Sequence, residues 1–176
     1  MKLIQRQGYL DFLRRNRNRP IVKVVSGIRR CGKSTLFRLF KDELLSEGVK
    51  PEQIISINFE ELEYEHLREY HALYQYILER MQPDEMNYIF LDEIQHVDQF
   101  HRVVDSLFVK ENTDLYITGS NAYFMSSDIA TLLTGRYVEI QMLPLSFSEF
   151  YHSKYDGNQY SLIPAYESYL RESSFP

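Results

Sequence analysis

The feature that most constrains this chain is the run Gly27-Ile28-Arg29-Arg30-Cys31-Gly32-Lys33-Ser34. Its spacing is G-x-x-x-x-G-K-S. Ahead of it, Ile21–Ser26 is short and β-branched, which reads as a strand. Behind it, Ser34–Leu45 carries apolar residues at 36, 37, 39, 40, 44 and 45, which is helical spacing. A strand, a glycine turn and a helix in that order make a cradle for phosphate. The glycines let successive backbone N–H groups converge, and the helix N-terminus adds partial positive charge. The candidate phosphate-binding residues are Gly27, Arg29, Arg30, Cys31, Gly32, Lys33, Ser34 and Thr35. Lys33 is placed to reach the β- and γ-phosphates of ATP, and the Ser34 hydroxyl to bind Mg²⁺.

The rest of the chain alternates apolar runs with amphipathic segments. Strands are expected at Ile54–Phe59, Tyr88–Leu91, Leu115–Thr118 and Tyr137–Met142. Helices are expected at Tyr9–Arg17, Leu67–Met81 (ended by Pro83), Phe100–Val109, and from Ser126 or Ser127 to Leu133. Tyr88–Leu91 is apolar throughout, as a strand buried on both faces would be. Alternating strands and helices imply an α/β domain with a mainly parallel sheet. After Pro144 the pattern changes to two short helices, Leu145–Tyr151 and Ala165–Arg171, around Gly157-Asn158. The expected division is a core over 1–144 and a helical segment over 145–176.

A second motif ends the third strand, Tyr88-Ile89-Phe90-Leu91-Asp92-Glu93. Open α/β sheets bind ligands at the C-terminal ends of their strands. Asp92 is placed to hold Mg²⁺, and Glu93 to polarise a water for attack on the γ-phosphate. A strand lies between the loop strand and this one. With the adjacent Glu, that marks a P-loop NTPase of the additional-strand type, five strands in the order 5-1-4-3-2. No Asn-Lys dipeptide exists to start the base-reading motif of a GTPase. After the fourth strand, Ser120 and Asn121 are candidates to hold the γ-phosphate or the attacking water, or to cap the next helix. Cys31 could be a thiol acidified by Lys33 and the helix N-terminus, or a small residue that fits the loop.

The net charge of −5 hides an asymmetry: residues 1–41 carry 12 Lys/Arg and one acid, whereas residues 42–176 carry 8 Lys/Arg and 24 acids. A basic head implies an anionic ligand nearby, or a solvated basic helix. Arg14, Arg15, Arg17 and Arg19 within it raise DNA as a partner. The single cysteine excludes an intramolecular disulfide and a cysteine zinc cluster. No apolar run approaches the ~18 residues of a membrane span, and the start MKLIQRQGY lacks the apolar core of a signal peptide. A cytoplasmic ATPase is the expectation.

The runs SGIRRCGKSTL, YIFLDEIQHV, LYITGSNAY and LLTGRYVEIQMLPLSFSEF together resemble prokaryotic AAA-type ATPases of the archaeal-ATPase-like group. The resemblance covers about residues 5–176, and Arg29 and Arg30 match the family's loop. Ser173-Ser174 depart from it, standing where glycines are usual. It implies ATP binding and Mg²⁺-dependent hydrolysis. It also implies a second, C-terminal domain, of which 145–176 would be only the start. It implies that Arg136, ahead of the fifth strand, contacts the γ-phosphate of a neighbouring subunit. An arginine capping the preceding helix is the other reading of that residue. Three functions stay open: an ATPase acting on a macromolecule such as protein or DNA, an ATP-binding regulatory module with little turnover, and a DNA-associated ATPase.

Overall fold

In the computed structural model, residues 4, 6–120, 133–155 and 161–172 are described. The elements are α1 (Gln7–Asn16), β1 (Val22–Gly27), α2 (Lys33–Ser46), β2 (Ile54–Asn58), α3 (Tyr70–Leu78), β3 (Asn87–Asp92), α4 (Phe100–Phe108), β4 (Thr113–Gly119), β5 (Tyr137–Met142), α5 (Phe147–Tyr155) and α6 (Leu162–Glu172). The helix expected to end at Leu133 falls on 121–132, outside the described residues.

The five strands form one sheet in the order β2-β3-β4-β1-β5. All four ladders are parallel, so the expected order 5-1-4-3-2 is the one observed. Strand alternation sends side chains to two cores. Val22, Val24, Ile57, Ile89, Leu91 and Ile117 face α3 and α4, where they meet Leu73, Ile77, Val103 and Leu107. Val25, Tyr88, Phe90 and Tyr116 face α1 and α2, where they meet Leu10, Leu13, Phe37 and Phe40. Phe90 and Tyr116 stack across neighbouring strands with centroids 4.7 Å apart. β1 and β3 are buried at every position, as a strand covered by helices on both faces must be.

Lys23 interrupts the apolar run of β1. Its ammonium is fully buried in an ion pair with Asp114, whose other oxygen accepts from the Asn18 N–H and the Tyr116 hydroxyl, each at 2.8 Å. Burial pulls the Lys23 ammonium below its ordinary value, against the charge of Asp114. A buried ion pair needs such added hydrogen bonds to offset its desolvation. Here they tie the 17–20 turn to the start of β4.

Several helix boundaries differ from expectation, and three of the starts have a local reason. α3 starts at Tyr70 rather than Leu67, because the Glu69 carboxylate caps it, accepting from the N–H groups of His71 and Ala72 at 3.0 and 2.9 Å. α5 starts at Phe147 rather than Leu145. Ser146 and Glu149 form a reciprocal capping box, with Ser146 N–H to Glu149 Oε2 at 2.7 Å and Glu149 N–H to Ser146 Oγ at 3.2 Å. α6 starts at Leu162, ahead of Ala165. Pro164 sits in its first turn, where a missing N–H costs no helical hydrogen bond.

Candidate functional site

The cradle begins where β1 ends. A Cβ on Gly27 would lie 2.6 Å from the Met142 carbonyl oxygen and 2.7 Å from Cys31 Sγ, so only glycine lets the loop fold back against β5. Arg30 and Gly32 take left-handed φ values of +67° and +102°. That turn leads straight into α2 and folds the Lys33 side chain back over the loop. Lys33 Nζ donates to the carbonyls of Gly27 at 3.1 Å and Ile28 at 3.3 Å, and lies 3.0 Å from Glu93 Oε1. Cys31 is buried, and burial pushes its thiol up against the opposing pull of Lys33 and Arg6. It is a small buried residue of the loop, not an acidified thiol.

Asp92 closes β3 and is buried, accepting a hydrogen bond from the Thr118 hydroxyl, with the Ser34 hydroxyl near enough to favour its ionised form. Burial raises its carboxyl above the ordinary range; these hydroxyls and Lys33 only partly oppose that. Thr118 Oγ1 also accepts the Glu93 N–H at 2.9 Å, so one hydroxyl of β4 holds both acids in place. Glu93 sits at φ +56°. That region costs a non-glycine residue on the order of 1 kcal/mol, and such strain clusters at functional sites. The kink turns the Glu93 side chain to Lys33, while Asp92 faces Ser34. Ser34 Oγ and Asp92 are neighbouring hard oxygen donors. So small a protein donor set suits Mg²⁺, which keeps several waters and takes phosphate oxygens.

The sheet register places the other candidates. Ser26 pairs with Gly119, so Ser120 emerges beside the phosphate loop, between it and β3. Asn121 lies outside the described residues. Arg29 is exposed and bridges Glu60 at 2.9 Å, while Arg30 is exposed and Thr35 half-buried on the loop and helix start. Arg136 is not brought to this cluster. It precedes Tyr137, which pairs with Val22 at the opposite end of β1, about 17 Å from the loop at ~3.3 Å per residue. There it bridges Asp105 at 2.9 Å and lies over the Phe108 ring.

Sequence reasoning missed Thr118, Gln95 and Arg6. Thr118 was legible as a polar residue inside an apolar strand. Arg6 had no local signal. Its buried guanidinium donates to the carbonyls of Leu143 at 2.6 Å, Cys31 at 3.3 Å and Pro144 at 3.3 Å, and pairs with Glu149 at 2.8 Å. It ties the back of the loop to α5. The basic head is largely spoken for: Arg14 bridges Asp11 and Glu43 at 2.6 Å each, and Arg17 pairs with Glu47.

An additional-strand parallel sheet with a glycine loop, a following lysine and a facing Asp-Glu pair is the core of an AAA-type P-loop ATPase. The AAA domain family matches residues 19–151, and the chain belongs to that family. An uncharacterized protein of Haemophilus influenzae is 42% identical over 176 residues, 99% of this chain and 44% of its own length. An uncharacterized protein of Methanocaldococcus jannaschii is 32% identical over 134 residues, 73% of this chain and 28% of its own. The chain thus spans less than half the length of these curated relatives. The crystal structure of Cdc6p from Pyrobaculum aerophilum superposes with a TM-score of 0.56 at 14% identity, covering 86% of this chain and 48% of that one. That likeness is one of fold. No helix among the described residues is long and apolar enough to cross a membrane.

Proposed function

We propose that this nucleotide-binding ATPase core holds Mg-ATP in the cradle of Gly27–Thr35 and hydrolyses it to ADP and phosphate. One observation carries the reading. Lys33, Ser34, Asp92 and Glu93, from two segments far apart in sequence, meet at the C-terminal ends of β1 and β3. Loop N–H groups and Lys33 bind and orient the β- and γ-phosphates. Ser34 and Asp92 would hold Mg²⁺, which when bound neutralises phosphate charge. Glu93 takes a proton from water as the water oxygen bonds to the γ-phosphorus and the bond to the ADP oxygen breaks. Ser120 and Asn121 would flank the γ-phosphate. Because Arg136 stands at the far end of β1 from the loop, a phosphate role for it would be toward another molecule, such as a neighbouring subunit.

Turnover would be coupled to a macromolecular partner in the cytoplasm. That partner is protein or DNA; of the basic head that points to DNA, Arg14 and Arg17 are paired with Glu43 and Glu47 of this chain. A regulatory module with little turnover is distinguished by measuring hydrolysis. The reading is tested by thermal melts with and without Mg-ATP. At a hundred times Kd, ligand binding adds ~2.7 kcal/mol, an upward shift of roughly 5–10 °C for a chain this size. No shift in wild type, or the same shift in Lys33→Ala, refutes it.

A further inference from the structure

We infer that Gln95 is the positioning residue for the Glu93 carboxylate, holding it in place for water once Lys33 has turned to phosphate. The inference rests on the hydrolytic role proposed for Glu93. The two oxygens of that carboxylate have different partners: Oε1 faces Lys33 Nζ at 3.0 Å, and Oε2 accepts from Gln95 Nε2 at 2.5 Å. A bound nucleotide draws the Lys33 ammonium to its phosphates, so the anchor on Oε1 is given up. The anchor on Oε2 is independent of the loop. Gln95 lies in the turn Ile94–His96, pinned by the buried side chains of Ile94 and Val97 and closed by Val97 N–H to Ile94 O at 2.9 Å.

A second observation shows that the amide is held for its amino group. Gln95 Oε1 is buried with no hydrogen-bond partner among the described residues. An unpaired buried carbonyl is unfavourable, and a free glutamine would turn it to solvent. The side chain stays where its Nε2 meets Glu93, at the cost of its own oxygen. The kink turns Glu93 toward Lys33, but a glutamate side chain rotates about several bonds, so the backbone alone does not fix the aim of its carboxylate. Aim matters at a general base, since a displacement of ~1 Å can cost ~100-fold in rate.

The test uses the full-length protein and measures kcat, KM for ATP, ATP affinity and melting. Gln95→Met keeps length and removes the donor. It is expected to lower kcat by about 10- to 100-fold, with KM and ATP affinity within about 2-fold of wild type and no loss of melting temperature. Gln95→Ala should give the same split and serves if methionine packs badly. In a Glu93→Gln background, Gln95→Met should have no further effect on turnover, because the two residues act as a unit. Wild-type-like kcat in both Gln95 variants overturns this inference alone. So does a further fall in the double variant, or a fall in kcat explained by lower melting. A wild-type protein that binds ATP without turnover overturns the hydrolytic role of Glu93, and this inference with it.

Discussion

Lys33 Nζ lies 3.0 Å from Glu93 Oε1, and Lys33 is sealed from solvent, with only 3% of its side chain exposed. In the proposed function, the acid that would act on water therefore occupies the lysine that would bind phosphate. ATP must displace it. Glu93→Gln removes the competing charge while keeping shape, so ATP should bind at least as tightly as to wild type. Turnover should fall by ~10²–10⁴-fold, the usual contribution of a general base. Equilibrium binding of a fluorescent ATP analogue beside phosphate release checks both halves. A tenfold weaker Kd would show that Glu93 is no competitor.

Asp92 is held in a place that suits a cation better than an empty site. Burial raises its carboxyl above the usual range, so at neutral pH the ionised form is less favourable in the folded chain than in the unfolded one. Asp92→Asn keeps an acceptor for the Ser34 and Thr118 hydroxyls. Without nucleotide it should melt at or above wild type, a functional residue being a cost to stability. Binding of ATP should lose its Mg²⁺ dependence. A variant that melts several degrees lower would overturn this account.

Glu149 gives a pH dependence whose sign is set by the structure. Burial by itself would raise its carboxyl, but hydrogen bonds from Ser146 and Arg6 and the Arg6 charge outweigh it and hold the carboxyl below the usual range. A depressed value stabilises the fold above the unfolded pKa of about 4.3, and the gain is lost as pH falls through the folded value. Glu149→Gln should lower stability by about 2 kcal/mol at pH 7. The gap to wild type should close below pH ~4. Parallel melts of the two proteins from pH 7 to 3.5 measure this; a gap that widens on acidification would contradict it.

Arg136 separates a role toward another subunit from a structural one. Its exposed bridge to Asp105 is worth at most about 1 kcal/mol. Arg136→Ala should therefore melt close to wild type. If it serves the phosphate of a neighbour, kcat should fall at least about tenfold with ATP affinity nearly unchanged, since a charge used at the transition state affects rate more than ground-state binding. Unchanged turnover would leave Arg136 as a surface residue.

Much of this molecule could be read from local sequence. β-branched runs gave the strands, helical periodicity gave the helices, and the strand-loop-helix setting of Gly27–Ser34 gave the cradle, because each depends on neighbours along the chain. The additional-strand order followed from Asp92-Glu93 and the intervening strand. Capping is also local, since the Ser146 and Glu149 box and the Glu69 cap each join residues two or three apart. The tertiary structure decided what no spacing encodes. Thr118 holds both acids only because β4 lies between β1 and β3. Arg6 reaches Cys31 and Glu149 across 25 and 143 residues of sequence. Arg136 stands at the far end of β1 because the β5 register pairs Tyr137 with Val22. Each contact joins segments that packing alone brings together, and packing depends on how two cores close over one sheet, which no local run of residues contains.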